Sequence, residues 1–420
     1  MKIKEIKARQ ILDSRANPTI ETKVVLENGL SATASVPSGA SKGEFEAIEL
    51  RDGDLKHFGG RGVKKAIENV EKIIAPKLVA QEAGKQQEID KTMIELDSTE
   101  NKSRLGANTI LSVSLACARV AALASGYPLF AYLRSCYRLP DQQFRLPIPM
   151  FNIINGGVHS DSGLSVQEFM VVPYEGKDFS ERLENGSEIF YTLKEILEKK
   201  RLTFAVGDEG GFAPKLKTTE KVFDLMIEIA HFTDHQIGSQ VFFALDVAAS
   251  VFFDKGRQKY LFEGKWRDDK EMSKIYYQWF KNYPLISIED PFAESHLSPW
   301  REFTARVTSL GSQYLVVGDD LFTTNLKRFK EGVAEKRANA ILIKPNQIGT
   351  LSETIECINF AQEHGYKIVI SHRSGETNDS FIADLAVAVN AEFIKAGAPN
   401  RGERVAKYNR LLEIEEMLNR

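Results

Sequence analysis

Residues 241–246 read Val-Phe-Phe-Ala-Leu-Asp, a short apolar run that stops on a carboxylate. The figure repeats down the chain: Ile286-Ser287-Ile288 stops on Glu289, Val316-Val317-Gly318 on Asp319 and Ile341-Leu342-Ile343 on Lys344. Val369-Ile370-Ser371 then stops on His372, and Phe393-Ile394 on Lys395. Between these runs lie stretches with helical periodicity, at 272–280, 300–310, 350–363, 381–389 and 405–418. Short apolar strands alternating with amphipathic helices predict parallel strands joined by crossover helices. Further runs near 146–154, 168–172 and 203–206 supply enough strands for an eight-stranded α/β barrel. In such a barrel the strand ends share one rim, where active sites are built. One charge at a strand end marks only where the chain leaves the core, whereas six in succession converge on a site.

Outward from the barrel, residues 19–26 and 30–36 are β-rich and flank Glu27-Asn28-Gly29, a hairpin signal. Val63, Ala66, Ile67, Val70, Ile73 and Ile74 then repeat at helical spacing, and an Ala-rich helix is predicted over 108–124. The Pro-containing stretch 139–149 reads as a linker. A smaller α+β domain over 1–138 followed by a barrel over 139–420 is therefore expected, as 420 residues exceed one simple core.

Composition excludes several classes. Hydrophobic residues at 43% and charged residues at 27% are globular usage rather than disorder, and a net charge of −3 offers no basic field for nucleic acid or an anionic membrane. Charges interrupt the first twenty residues, unlike a secretory signal, and no uninterrupted apolar run is expected to cross a bilayer. Cys117, Cys136 and Cys357 have no metal-ligand spacing and leave one thiol unpaired, which points to a reducing compartment and a cytoplasmic location.

Asp246, Glu289 and Asp319 form a hard-oxygen set suited to Mg²⁺, although strand alternation should turn only one of Asp319 and Asp320 inward. Lys344 and Lys395 stand opposite, and crowding them near bound cations is expected to lower their pKa values so that one serves as a base. Metal ions on a substrate carboxylate would stabilise the dianion that proton removal creates. Glu209, in Gly207-Asp208-Glu209-Gly210-Gly211, and Glu168 are candidate acids; if adjacent, their repulsion would keep one protonated. The loop Ser38-Gly39-Ala40-Ser41-Lys42-Gly43 and the stretch His372-Arg373-Ser374-Gly375 are candidate anion sites, since Arg forks a phosphate and loop amides and hydroxyls complete a cradle.

These stretches together resemble the enolase family from ILDSRANPT at 11–19 through SGASKGEFEAIELRDGD, NGGVHSDSG, VGDEGGFAP, ALDVAAS, SIEDPFAE, GDDLFTTN and SHRSGET to IKAGAPNRGERVAKYN at 394–409. The resemblance implies a Mg²⁺-dependent lyase that dehydrates 2-phosphoglycerate, in which Lys344 takes the C2 proton and Glu209, assisted by Glu168, protonates the leaving hydroxyl. It implies that Asp246, Glu289 and Asp319 hold the first of two Mg²⁺ ions per site and that Ser41, on a mobile loop near 38–43, ligates the second. Arg373 and Ser374 would bind phosphate, and His159, His372 and Lys395 would close over or hold the substrate. A barrel with irregular first strands and a homodimer, or a higher homo-oligomer, are implied as well. Lys42, Ser160, Val251, Ala16, Asn378 and Gly402 depart from the family pattern. A relative acting on an unphosphorylated acid would have no use for Arg373, Ser374 and Ser41, and a non-catalytic binding derivative would have no reason to keep the matched set.

Overall fold

The computed structural model describes residues 1–39, 43–140, 142–233 and 235–419. Strands β1 (Ile3–Leu12), β2 (Pro18–Leu26) and β3 (Ser31–Ser35) form an antiparallel sheet in that order. The β2–β3 turn uses Gly29 at φ +88°, a conformation that glycine adopts without a Cβ clash. Strand β1 was not expected from the sequence. Only Ile3 and Ile6 of its ten residues are buried, and a register irregularity between Ile3 and Glu5 breaks the alternation that would have marked a strand.

The helix Ala107–Ser125 packs on β2 and β3, with Gly106 and Gly126 at positive φ bounding it. Thr22 and Ser112 share a 2.7 Å hydrogen bond across that contact. Among the described residues this one helix has the length and mean apolar composition to cross a bilayer, but Asn108, Ser112 and Arg119 interrupt it, so it is not an uninterrupted apolar run. Most of it is buried in the fold, the position of a core helix.

The barrel opens with β4 (Ile148–Asn155), β5 (Glu168–Pro173) and β6 (Val241–Asp246). A small antiparallel sheet follows β6: β7 (Phe253–Asp254), β8 (Lys259–Phe262) and β9 (Lys265–Arg267). Then come β10 (Leu285–Glu289), β11 (Leu315–Gly318), β12 (Ala340–Ile343), β13 (Lys367–Ser371) and β14 (Phe393–Lys395). The closed order is β4-β5-β6-β10-β11-β12-β13-β14. β5 runs antiparallel to both neighbours, and every other pairing is parallel.

The run at 203–206 is not a barrel strand. Phe204 and Val206 are exposed, and Val206 makes only an isolated bridge to Phe212, so β6 takes the third place instead. Crossover helices cover the outside, including Asp269–Asn282, whose start is held by a reciprocal Asp268–Glu271 capping box. Inside the barrel one residue in two is apolar and buried, Met150, Met170, Ala244, Val317, Leu342 and Phe393 among them. This interior is a packed floor rather than a channel.

Candidate active site

Strand periodicity carries that floor into the site. Two residues beyond an interior apolar side chain, on the same face, the chain places Asp246 after Ala244, Asp319 after Val317, Lys344 after Leu342 and Lys395 after Phe393. Asn152 stands likewise beyond Met150. Because β5 is reversed, its start lies at the same rim, and Glu168 precedes Met170 by two residues and pairs with Asp246. Glu289 is three residues from interior Ile286. The register irregularity between Leu285 and Ser287 absorbs the odd residue, so Ile288 joins the outer core and Glu289 turns in.

Lys395 is the centre of this array. Its buried Nζ lies 3.1 Å from Asp246, 2.9 Å from Glu289 and 3.2 Å from Glu168. Lys344 donates to Asp319 Oδ2, and Gln347 donates to Asp319 Oδ1 at 2.9 Å. The expected lowering of the lysine pKa values presupposes bound cations; without them the carboxylates alone set the balance. Burial disfavours both ammonium groups, but Asp319 outweighs it at Lys344, and Asp246, Glu168 and Glu289 outweigh it at Lys395, so both are raised.

Glu209 sits on the loop 207–211. Asn152 donates to its Oε2 at 2.9 Å, and Gly207 N and Gly211 O close the loop at 2.8 Å. A Cβ on Gly211 would stand 2.8 Å from Asn155 Oδ1 and 3.0 Å from Asn152 O, so glycine is required for the close approach. His159 Nδ1 lies 3.6 Å from Glu209 and 3.8 Å from Glu168, and His372 Nε2 lies 3.7 Å from Glu209. The two carboxyls therefore sit together as expected, and their pKa values diverge. Burial and the neighbouring Glu209 push Glu168 well above the carboxylate range. At Glu209 burial is outweighed by His159, His372, Arg404 and Lys395, which hold it well below. Of the pair, Glu168 is thus the one whose surroundings favour the protonated form. Burial also pushes His372 well below the usual histidine range.

Arg373 and Ser374 line the same cavity of about 20 Å³ as His159, Glu168, Glu209, Asp246, Asp319, Lys344, His372 and Lys395. Arg373 is held by both oxygens of Glu46, at 2.9 and 3.0 Å, and by Asn346 Oδ1 at 3.1 Å. Ser41 lies outside the described residues, as does Lys42; Gly39, nearby in the loop, lines the cavity.

The donor set fits hard divalent cations. Glu168, Glu209, Asp246, Glu289, Asp290, Asp319 and Asp320 gather around Lys344, Lys395 and an Arg373 already paired with Glu46. Burial and mutual repulsion drive Glu168, Glu289, Asp290 and Asp320 well above the carboxylate range, the signature of surplus buried negative charge. Asp290, Asp319 and Asp320 each bring a carboxylate oxygen within 4.8 Å of the others. The expected choice between Asp319 and Asp320 does not arise: the period of two carries Asp319 into the cavity, and Asp320, one residue further past the end of β11, lines it as well. Asp290 accepts the amides of Asp319 and Asp320 at 3.0 and 2.8 Å.

Sequence reasoning missed Asn152, Gln347, Glu46 and Arg404. For Asn152 the signal was present, since it obeys the same two-residue step. Arg404 lies in the helix Gly402–Leu418 and reaches the site only through the tertiary fold.

Two family descriptions match the chain: "Enolase, N-terminal domain" over residues 3–133 and "Enolase, C-terminal TIM barrel domain" over residues 143–420. The protein named enolase from Elusimicrobium minutum (strain Pei191) is 52% identical over 419 residues, spanning 100% of this chain and 97% of that protein.

Proposed function

This chain belongs to the enolase family, and from that premise we propose how its residues divide the dehydration of 2-phosphoglycerate to phosphoenolpyruvate. Lys344 takes the proton from C2, leaving the electron pair delocalised into the substrate carboxylate as an enediolate. Glu209, receiving its proton from Glu168, then gives it to the C3 hydroxyl as the C3–O bond breaks and water departs. Glu168 keeps that side supplied with its one transferable proton, with His159 between the two carboxyls. Arg373 and Ser374, joined by Ser41, hold the phosphate, while His372 and Lys395 hold the substrate from the rim.

A single observation carries this division. Glu168 on β5 and Lys344 after β12 are separated by β6, β10 and β11 one way round the barrel and by β4, β14 and β13 the other. Lys344 and Glu168, which has Glu209 beside it, thus flank the cavity from opposite walls, as an anti elimination across the C2–C3 bond uses.

Asp246, Glu289 and Asp319 would hold one Mg²⁺ and Ser41 would contribute to a second. Bound there, the ions would supply positive charge that offsets the carboxylate surplus, draws Asp319 away from Lys344 so that its amine is free to accept a proton, and stabilises charge on the substrate carboxylate. A homodimer, and a boundary between the two domains near 138–139, belong to the same proposal. A cytoplasmic enzyme without nucleic-acid or membrane partners fits the net charge of −3.

The test is absorbance-monitored formation of phosphoenolpyruvate from 2-phosphoglycerate with and without Mg²⁺. Magnesium-dependent product, inhibited competitively by a phosphonate analogue, is expected. Turnover indifferent to that analogue would overturn the phosphate assignment.

A further inference from the structure

We propose that Arg404 is a positioning residue that fixes His372 as its Nε2–H tautomer and ties the Glu209 loop to the Arg373-Ser374 segment. The inference deepens the division of roles above and rests on Glu209 being the acid.

Arg404 lies in the first turn of the helix Gly402–Leu418, and its side chain is wholly buried. Each of its four terminal N–H bonds has an acceptor. Nη1 donates to His372 Nδ1 at 2.7 Å and to Arg373 O at 2.5 Å; Nη2 donates to Ser374 O at 2.6 Å and to Asp208 O at 3.1 Å. A guanidinium cannot accept a hydrogen bond, so the lone pair at that contact belongs to His372 Nδ1. The ring proton must then sit on Nε2, which faces Glu209 Oε2 at 3.7 Å, too long for a hydrogen bond, and has no hydrogen-bond partner among the described residues. The tautomer places a donor toward the acid, in the manner of the partner group that orients a working histidine.

The three carbonyls that Arg404 holds belong to the residue before Glu209 and to both candidate phosphate ligands. The same stretch of chain fastens the acid loop at further points. Ala398 N donates to Glu209 O at 3.0 Å, Asn400 to Gly210 O at 3.0 Å and Arg401 to Gly207 O at 3.2 Å. Gly397, at φ +85°, makes room for the arrangement, because a Cβ there would stand 2.8 Å from Glu209 O and 2.9 Å from Arg404 Cδ. The one carboxylate paired with Arg404 is Glu403, 3.5 Å from Nε, so the guanidinium serves its neutral acceptors rather than a buried ion pair. Lysine, with three donors on one atom, cannot span the same four acceptors.

The tautomer is tested first on the unaltered protein. ¹⁵N-histidine labelling, with the His372 resonances identified by their loss in His372→Gln, should show a protonated Nε2 and a bare Nδ1 in the unliganded protein at neutral pH. A protonated Nδ1 or an imidazolium would overturn the proposal. This readout needs neither turnover nor a folded Arg404 variant, so its failure is distinct from failure of the Glu209 assignment. In Arg404→Lys, dehydration is expected to fall about a hundredfold while exchange of the C2 proton with solvent stays within about threefold of the parent. Exchange and dehydration falling together, or neither falling, would contradict a role on the acid side. In the His372→Gln background Arg404→Lys should cost less than it does alone, and full additivity of the two losses would sever Arg404 from His372.

Discussion

Lys344 and Glu209 reach one cavity by different routes. Lys344 leaves the end of β12, two residues beyond interior Leu342, so the barrel itself aims it. Glu209 belongs to no strand. Its loop is held by glycines packed against Asn152 and Asn155, by Ala398, Asn400 and Arg401, and by Arg404 at Asp208. The base wall is therefore preorganised by secondary structure, whereas the acid wall is assembled from tertiary contacts. Base chemistry should tolerate distant substitutions that disable acid chemistry.

The largest effect expected comes from the group that joins the two walls. Lys395→Met leaves Glu168, Asp246 and Glu289 without their shared ammonium, and loss of one partner from a buried charge cluster costs about 3–5 kcal/mol. Urea unfolding without added metal should show that loss together with near-complete loss of turnover. An unchanged midpoint would mean that Lys395 does not bind the walls together.

The sequence made these walls unequally legible. Asp246, Asp319, Lys344 and Lys395 end apolar runs, and a period of two projects them from the core into the site without any tertiary information. Glu289 was found by the same rule although a register irregularity had to correct its facing. Glu168 was harder, because it begins its strand, and it reaches the rim only since β5 is reversed. Glu209 was marked by flanking glycines alone, and the run at 203–206 just before its loop was taken for a strand. Arg404 and Glu46 left no local signal, as their contacts join residues far apart in the chain. The family resemblance implied only irregular first strands, and the reversal of β5 itself was not legible, since apolar runs do not record strand direction.

Asp246→Ala removes one metal carboxylate from the base wall. Its Mg²⁺ titration of activity should shift at least about tenfold to higher concentration, the lower end of what supporting residues of metal sites cost. An unmoved titration would take Asp246 out of the ligand set. Gly211→Ala strains only the acid wall, where its Cβ would meet Asn155 and the backbone of Asn152. Dehydration should fall by up to about a hundredfold through misplacement of Glu209, with C2 exchange preserved. Equal loss of both would show that the walls are not independent.

The smallest expected effect lies outside both. Ala16 sits at φ +57°, a left-handed conformation that a Cβ disfavours. Ala16→Gly should stabilise the protein by about 0.5–1 kcal/mol after the entropy of glycine is offset, with turnover unchanged. Thermal unfolding reads the gain. A loss of stability would mean that the neighbouring turn at Asp13 does not hold that conformation in solution.

The separation of the walls is tested most directly by following exchange of the C2 proton of 2-phosphoglycerate with solvent deuterium in Lys344→Ala and Glu209→Gln. Exchange should vanish in Lys344→Ala and persist in Glu209→Gln, which forms no phosphoenolpyruvate. Exchange at the parent rate in Lys344→Ala, or its disappearance in Glu209→Gln, would contradict a base on one wall and an acid on the other.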